Sequence, residues 1–143
     1  MRYRDRPRWP QGVVDANIIS YLYISGDRSQ QSEDLLSFDF NWVAPILWRS
    51  EFRNVLARYL RKNLLNMDEV LLIIQQAEKL LTDHEYEISS AHIMQLVNSS
   101  QCSAYDCEFV ALAQYLDVPL ITTDKKILNE FPDIAIPVNS YIA

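Results

Sequence analysis

Apolar and polar positions along this chain fall into blocks that switch between strand-like runs and helical spacing. Val13-Val14 is a short buried-strand run ending at Asp15, and Ile18 to Tyr23 follows at once with apolar spacing that suits a helix. Chain direction is expected to reverse near Ser25-Gly26-Asp27, ahead of a second helix over 30–37 that turns Leu35 and Leu36 inward. Trp42-Val43-Ala44 reads as a strand stopped by Pro45, and Pro45 suits the first turn of a long helix to about Lys62. The stripe Leu47, Trp48, Phe52, Val55, Leu56 and Tyr59 points that helix at a core.

Asn66 or Asp68 can cap a further helix whose apolar face, from Val70 to Leu81, is broader than a lone surface helix requires. The helices between Pro45 and Leu81 are therefore expected to offer a partner surface. Tyr86-Glu87-Ile88 reads as extended, Ser89 or Ser90 caps a helix through Val97, and another helix runs from Ser103 to about Asp117. Val118 to Thr122 then forms a strand, Lys125 to Phe131 a short helix, and Ile134 to Val138 a last strand. Strands alternating with helices predict an α/β domain with a mainly parallel central sheet covered on both faces.

A length of 143 residues makes one domain with enough apolar content to bury its own core. The charge is uneven. Arg2, Arg4, Arg6 and Arg8 with Asp5 give the first residues +3, so the rest of a chain of net charge −6 carries −9. Residues 1–11 are read as a basic arm, either a frayed terminus or a strap that contacts phosphates or a partner with Trp9 beside it, and 12–143 as the domain proper. The acidic total argues against a protein that coats nucleic acid nonspecifically, while leaving a nuclease open. Cys102 and Cys107 read as reduced thiols, and no Cys-x-x-Cys or His-Glu-x-x-His pattern supports zinc. The longest clean aliphatic run, Val70 to Ile74, is too short to span a bilayer, and the start lacks the apolar segment of a secretion signal, so a cytoplasmic address with no membrane contact is expected.

Four acids stand where a fold has little structural use for them. Asp15 and Asp124 are the first acidic residues past strand ends, where parallel sheets place their ligand crevice. Glu51 lies on the helical face of Leu47 and Val55 with no basic neighbour at contact spacing. Asp106 completes Ser103-Ala104-Tyr105-Asp106, which imitates a capping box, yet it also continues the face of Phe109, Val110 and Ala113. Singly, Asp106 and Asp124 are explained as helix caps. Gathered beside a core, four carboxylates repel one another and call for a cation, which points to a metal site made of oxygen ligands.

The combination resembles the PIN-domain ribonucleases, especially the stand-alone toxins of the VapC kind. The resemblance runs from about Val13 to Val138 through four blocks: Val13 to Ile19, Pro45 to Val55 around Glu51, Ser103 to Ala113 around Asp106, and Pro119 to Lys126 around Asp124. It implies a three-layer α/β/α domain with an acidic pocket for Mg2+ or Mn2+. Carried over residue by residue, Asp15, Glu51, Asp106 and Asp124 become the metal-site and catalytic acids, with Asn17 and Thr122 in support. Lys125, Arg49 and Arg53 are weaker candidates to hold the substrate backbone.

The function so implied is metal-dependent hydrolysis of RNA by a toxin that an antitoxin protein restrains, with self-association into a homodimer. A second reading is a PIN-like module that binds RNA or a partner without cutting. A haloacid-dehalogenase-type phosphatase is disfavoured, because Asp15-Ala16-Asn17 stands where Asp-x-Asp belongs, and a receiver domain because the paired N-terminal acids are missing.

Overall fold

The structure, a computed structural model, describes residues 11–24 and 26–143. The basic arm, with Trp9, lies outside the described residues apart from Gln11, as does Ser25 in the expected reversal. The elements in order are β1 (Val13–Val14), α1 (Ala16–Tyr23), α2 (Ser29–Phe38), β2 (Ala44–Pro45), α3 (Trp48–Arg61) and α4 (Met67–Leu80). They continue with β3 (Glu85–Tyr86), α5 (Ser90–Asn98), α6 (Ala104–Leu116), β4 (Leu120–Ile121), α7 (Lys125–Glu130), β5 (Ala135–Ile136) and α8 (Val138–Ile142). Among the described residues, no helix is long and apolar enough to cross a membrane.

Every strand pairing is parallel. β1 pairs with β4 and β4 with β5, β2 pairs with β3, and a bridge between Val13 and Val43 joins the two groups. That bridge is reinforced by Val14 N–H donating to Val43 O at 3.1 Å and Val43 N–H to Gly12 O at 3.2 Å. The continuous order is therefore β3-β2-β1-β4-β5. After β1 the chain builds outward on one side through β2 and β3, then returns to build on the other through β4 and β5. The reversal falls between β1 and β4, and in open parallel sheets such a switch leaves a crevice beyond the strand ends.

Helices cover both faces. α6 lies against β1, β2 and β4 with α5 packed outside it, while α1 packs on α2 and α3 and α3 on α4. Burial follows residue type closely in α6, where Cys107, Phe109, Val110, Ala111, Leu112, Ala113 and Leu116 are all buried, as a helix between a sheet and another helix requires. α3 buries a narrower stripe, Trp48, Phe52 and Leu56, which leaves its adjoining face free for polar groups. The α3 register is held at its start by Arg49, whose guanidinium donates to both Glu85 oxygens at 2.6 and 2.7 Å and lies 3.2 Å from Glu78, while Trp48 Nε1 donates to Glu85 at 2.7 Å.

Several boundaries differ from the sequence reading. Pro45 does not open the long helix; it ends β2, paired in register with Tyr86, and α3 begins at Trp48 after a short turn. Ala44 N–H and Ile46 N–H donate to His84 O and Tyr86 O of the β3 segment at 3.2 and 2.9 Å, and Pro45 between them turns its ring nitrogen away from β3, so the β2–β3 ladder loses no donor. The last strand is confined to Ala135–Ile136, and Val138, expected at the end of that strand, instead opens α8. Asn66 is the cap of α4, in a complete capping box with Glu69. The α4 face splits: Val70, Ala77 and Leu81 are buried, whereas Leu64, Met67, Leu71 and Leu72 stand exposed.

Candidate active site

Asp15, Glu51, Asp106 and Asp124 all line one cleft of about 190 Å³ at the reversal in strand order, together with Asn17, Asn54 and Arg58. Each acid is delivered by a different element. Asp15 leaves β1 as the cap of α1, its Oδ1 accepting from Ile18 N–H at 3.0 Å. Asp124 follows β4 as the cap of α7, its Oδ1 accepting from Ile127 N–H at 3.1 Å. Glu51 projects from the first turn of α3 and Asp106 from the first turn of α6. Asp124 is thus the cap that was expected, Asp15 is a cap that was not, and the cap of α6 is Ser103, which accepts from Asp106 N–H at 3.1 Å. In Asp15 and Asp124 capping aims the side chain, with one oxygen tied to a helix start and the other left for the cleft or its neighbours.

Thr122 links the two strand-end acids. Its hydroxyl donates to Asp15 Oδ2 and its oxygen accepts from Asp124 N–H at 3.0 Å. Fully buried, it fixes the rotamer of Asp15, which is itself only 7% exposed. The side chain of Asn17 is exposed at the cleft, while its backbone amide helps to stabilise the Asp15 carboxylate.

Burial pushes Asp15 up to about 6, and the charge of Asp124 adds to the rise against the opposing bonds from Thr122 and Ile18. Burial also pushes Glu51 up to about 7, reinforced by the charges of Asp106, Asp15 and Glu108. Asp106 is raised by burial and then by Asp124, with Ser103 and Lys126 acting the other way. Among the described residues, none of the four acids is in an ion pair. Mutual repulsion without a paired base is the electrostatic signature of a site arranged for chemistry or a cation.

The donors fit a hard divalent ion in kind, being all oxygen and uncompensated in charge. They do not form a closed cage: among the described residues no three His, Cys, Asp or Glu side chains stand at metal-ligand spacing. Mg2+ keeps several of its waters, so carboxylates set around a cleft can reach it partly through them.

The basic candidates fare differently. Arg49 is turned away into its pairing with Glu85 and Glu78, and neither Arg53 nor Lys125 lines the cleft. Arg58 does line it, and Lys126 is the lysine whose charge reaches Asp106. Arg58 could have been found: Asn54, Val55 and Arg58 follow Glu51 at i+3, i+4 and i+7, the spacing of one helical face.

A family model of the PIN domain matches residues 12–134. Ribonuclease VapC3 of Pyrobaculum aerophilum is 30% identical over 128 residues, an alignment spanning 87% of this chain and 98% of that protein. In three dimensions the chain resembles the crystal structure of PAE2754 from Pyrobaculum aerophilum, with a TM-score of 0.68, 16% identity and coverage of 92% of this chain and 86% of the other.

Proposed function

Because this chain belongs to the PIN-domain family, we propose that it is an endoribonuclease that hydrolyses RNA phosphodiesters with Mg2+ or Mn2+. The observation that carries this reading is the single cleft in which four acids from four elements meet unpaired. Asp15, Glu51, Asp106 and Asp124 would hold the ion. Bound there, a divalent ion would neutralise the carboxylates, polarise the phosphodiester and make an attacking water more acidic.

The chain's own residues supply the geometry. Ile18 N–H and Thr122 keep Asp15 in one orientation, and Ile127 N–H does the same for Asp124, so the two strand-end acids need no reorganisation when substrate arrives. Asp106 or Asp124 orients the water. Arg58 at the cleft wall meets the substrate backbone, a role the raised rim of negative charge would otherwise oppose.

The similarity to Ribonuclease VapC3 supports a cellular role as a cytoplasmic toxin that an antitoxin protein blocks until release. Self-association would use the exposed strip Leu64, Met67, Leu71 and Leu72. Purified protein incubated with single-stranded RNA should cut it in Mg2+ or Mn2+ and stop in EDTA, and Asp124→Asn should abolish cleavage with the circular dichroism spectrum intact. Cleavage indifferent to EDTA, or to that substitution, removes this cleft from the reaction. RNA bound but never cut in either ion favours the binding-module reading.

A further inference from the structure

A second cleft, about 400 Å³, opens beside the carboxylates and shares Asn17, Val55 and Arg58 with theirs. Its other side chains include Tyr21 of α1, Tyr59 of α3 and Arg28 at the start of α2. Resting on the ribonuclease reading above, we propose that this cleft is a nucleotide subsite, which holds the base and phosphate next to the bond being cut in single-stranded RNA.

Three features support it. Arg28 and Arg58 both face the cleft and, among the described residues, neither is in an ion pair, although the chain is acidic overall. Arg28 instead lies over the half-buried Tyr21 ring, 5.8 Å from its centroid, so this face of the ring carries an exposed guanidinium on which a base can stack and whose N–H groups can meet a phosphate. Tyr59 brings a second half-buried ring to the same space.

Two rings and two guanidiniums suit an unpaired strand, whose bases are free to stack; a duplex offers its phosphates but keeps its bases stacked on one another. Asp27 at the cleft offsets part of the positive charge, so phosphate attraction alone does not account for the site, and stacking has to share the work. The volume lies in the range of pockets that take a single nucleotide-sized ligand. Arg58 belongs to both clefts and thereby connects the flanking nucleotide to the scissile phosphate.

The test is fluorescence anisotropy of a labelled single-stranded RNA with the full chain in Mg2+, on an Asp124→Asn background that keeps the RNA whole. Arg28→Ala and Tyr21→Leu should each weaken binding by about fivefold or more. Arg28→Ala should also flatten the dependence of log K on log salt by about 0.7, the mark of one lost phosphate contact to a single strand, which a purely structural residue would not produce. Arg28 is exposed, so its variant is expected to fold and to keep the test decisive if Tyr21→Leu does not. Unchanged affinity and salt dependence in Arg28→Ala overturn the subsite while leaving cleavage by the parent chain standing. Loss of binding in both variants sustains it even where the parent chain proves unable to cut.

Discussion

Glu51→Gln should make the metal-free protein more stable. Glu51 makes no ion pair among the described residues, and burial, followed by the charges of Asp106, Asp15 and Glu108, lifts it from 4.5 to about 7. At 1.36 kcal/mol per pK unit this rise would be worth ~3 kcal/mol in a dry site. Glu51 keeps part of its surface in water, so screening reduces the expected gain to ~1–2 kcal/mol. The sign follows from proton counts. Between the unfolded value of 4.5 and the folded value of about 7 the native chain binds more protons than the unfolded one, so native stability falls as pH rises through that window. Glutamine carries no charge and escapes the loss. Urea titrations in EDTA should therefore show the variant ahead of the parent at pH 8 and the gap nearly closed at pH 4. Adding Mn2+ should narrow the gap at pH 8 by stabilising the parent more than the variant. Equal stabilities at pH 8, or a gap that ignores pH, would refute the claim that Glu51 is held against burial and its like-charged neighbours.

Thr122→Val removes the hydroxyl that donates to Asp15 and accepts from Asp124 N–H, at an expected cost of ~1–3 kcal/mol. Because that bond lowers the Asp15 value, the metal-free cost should be larger at pH 8 than at pH 4, and thermal melts showing the same cost at both would break the link to Asp15. Arg49→Ala should cost ~1–2 kcal/mol through the two-pronged bond to Glu85, read by thermal unfolding. Loss of cleavage without loss of stability would return Arg49 to the substrate.

The order and kind of the elements as far as β5 were legible in the sequence because the apolar runs are clean and the caps, Asn66, Ser89, Ser103 and Asp124, are residues whose side chains satisfy helix amides. By contrast, α8 follows Pro137 without a side-chain cap and left no such mark. The four acids were legible for a related reason: two follow strand ends directly, and Glu51 lacks a helical partner. Strand order was not legible, since parallel pairing joins residues as distant as Val13 and Leu120 and leaves no local mark. Arg49 misled because Glu85, its partner, lies beyond an entire helix in the chain, and local spacing is silent about it. Pro45 misled because proline suits a first helical turn and the end of a strand equally. The second cleft needed α1, α2 and α3 in their folded arrangement before Tyr21, Arg28 and Tyr59 could share a space.

β1 sits at the centre of the sheet, yet its neighbour on one side is made of residues more than a hundred positions later. A fragment ending before Leu120 would leave that edge of β1 bare and Asp15 without its threonine and its facing acid. The acidic cleft is consequently withheld from any chain cut just before Leu120, so loss of as few as the last 24 residues leaves Asp15, Glu51 and Asp106 without the site they share with Asp124.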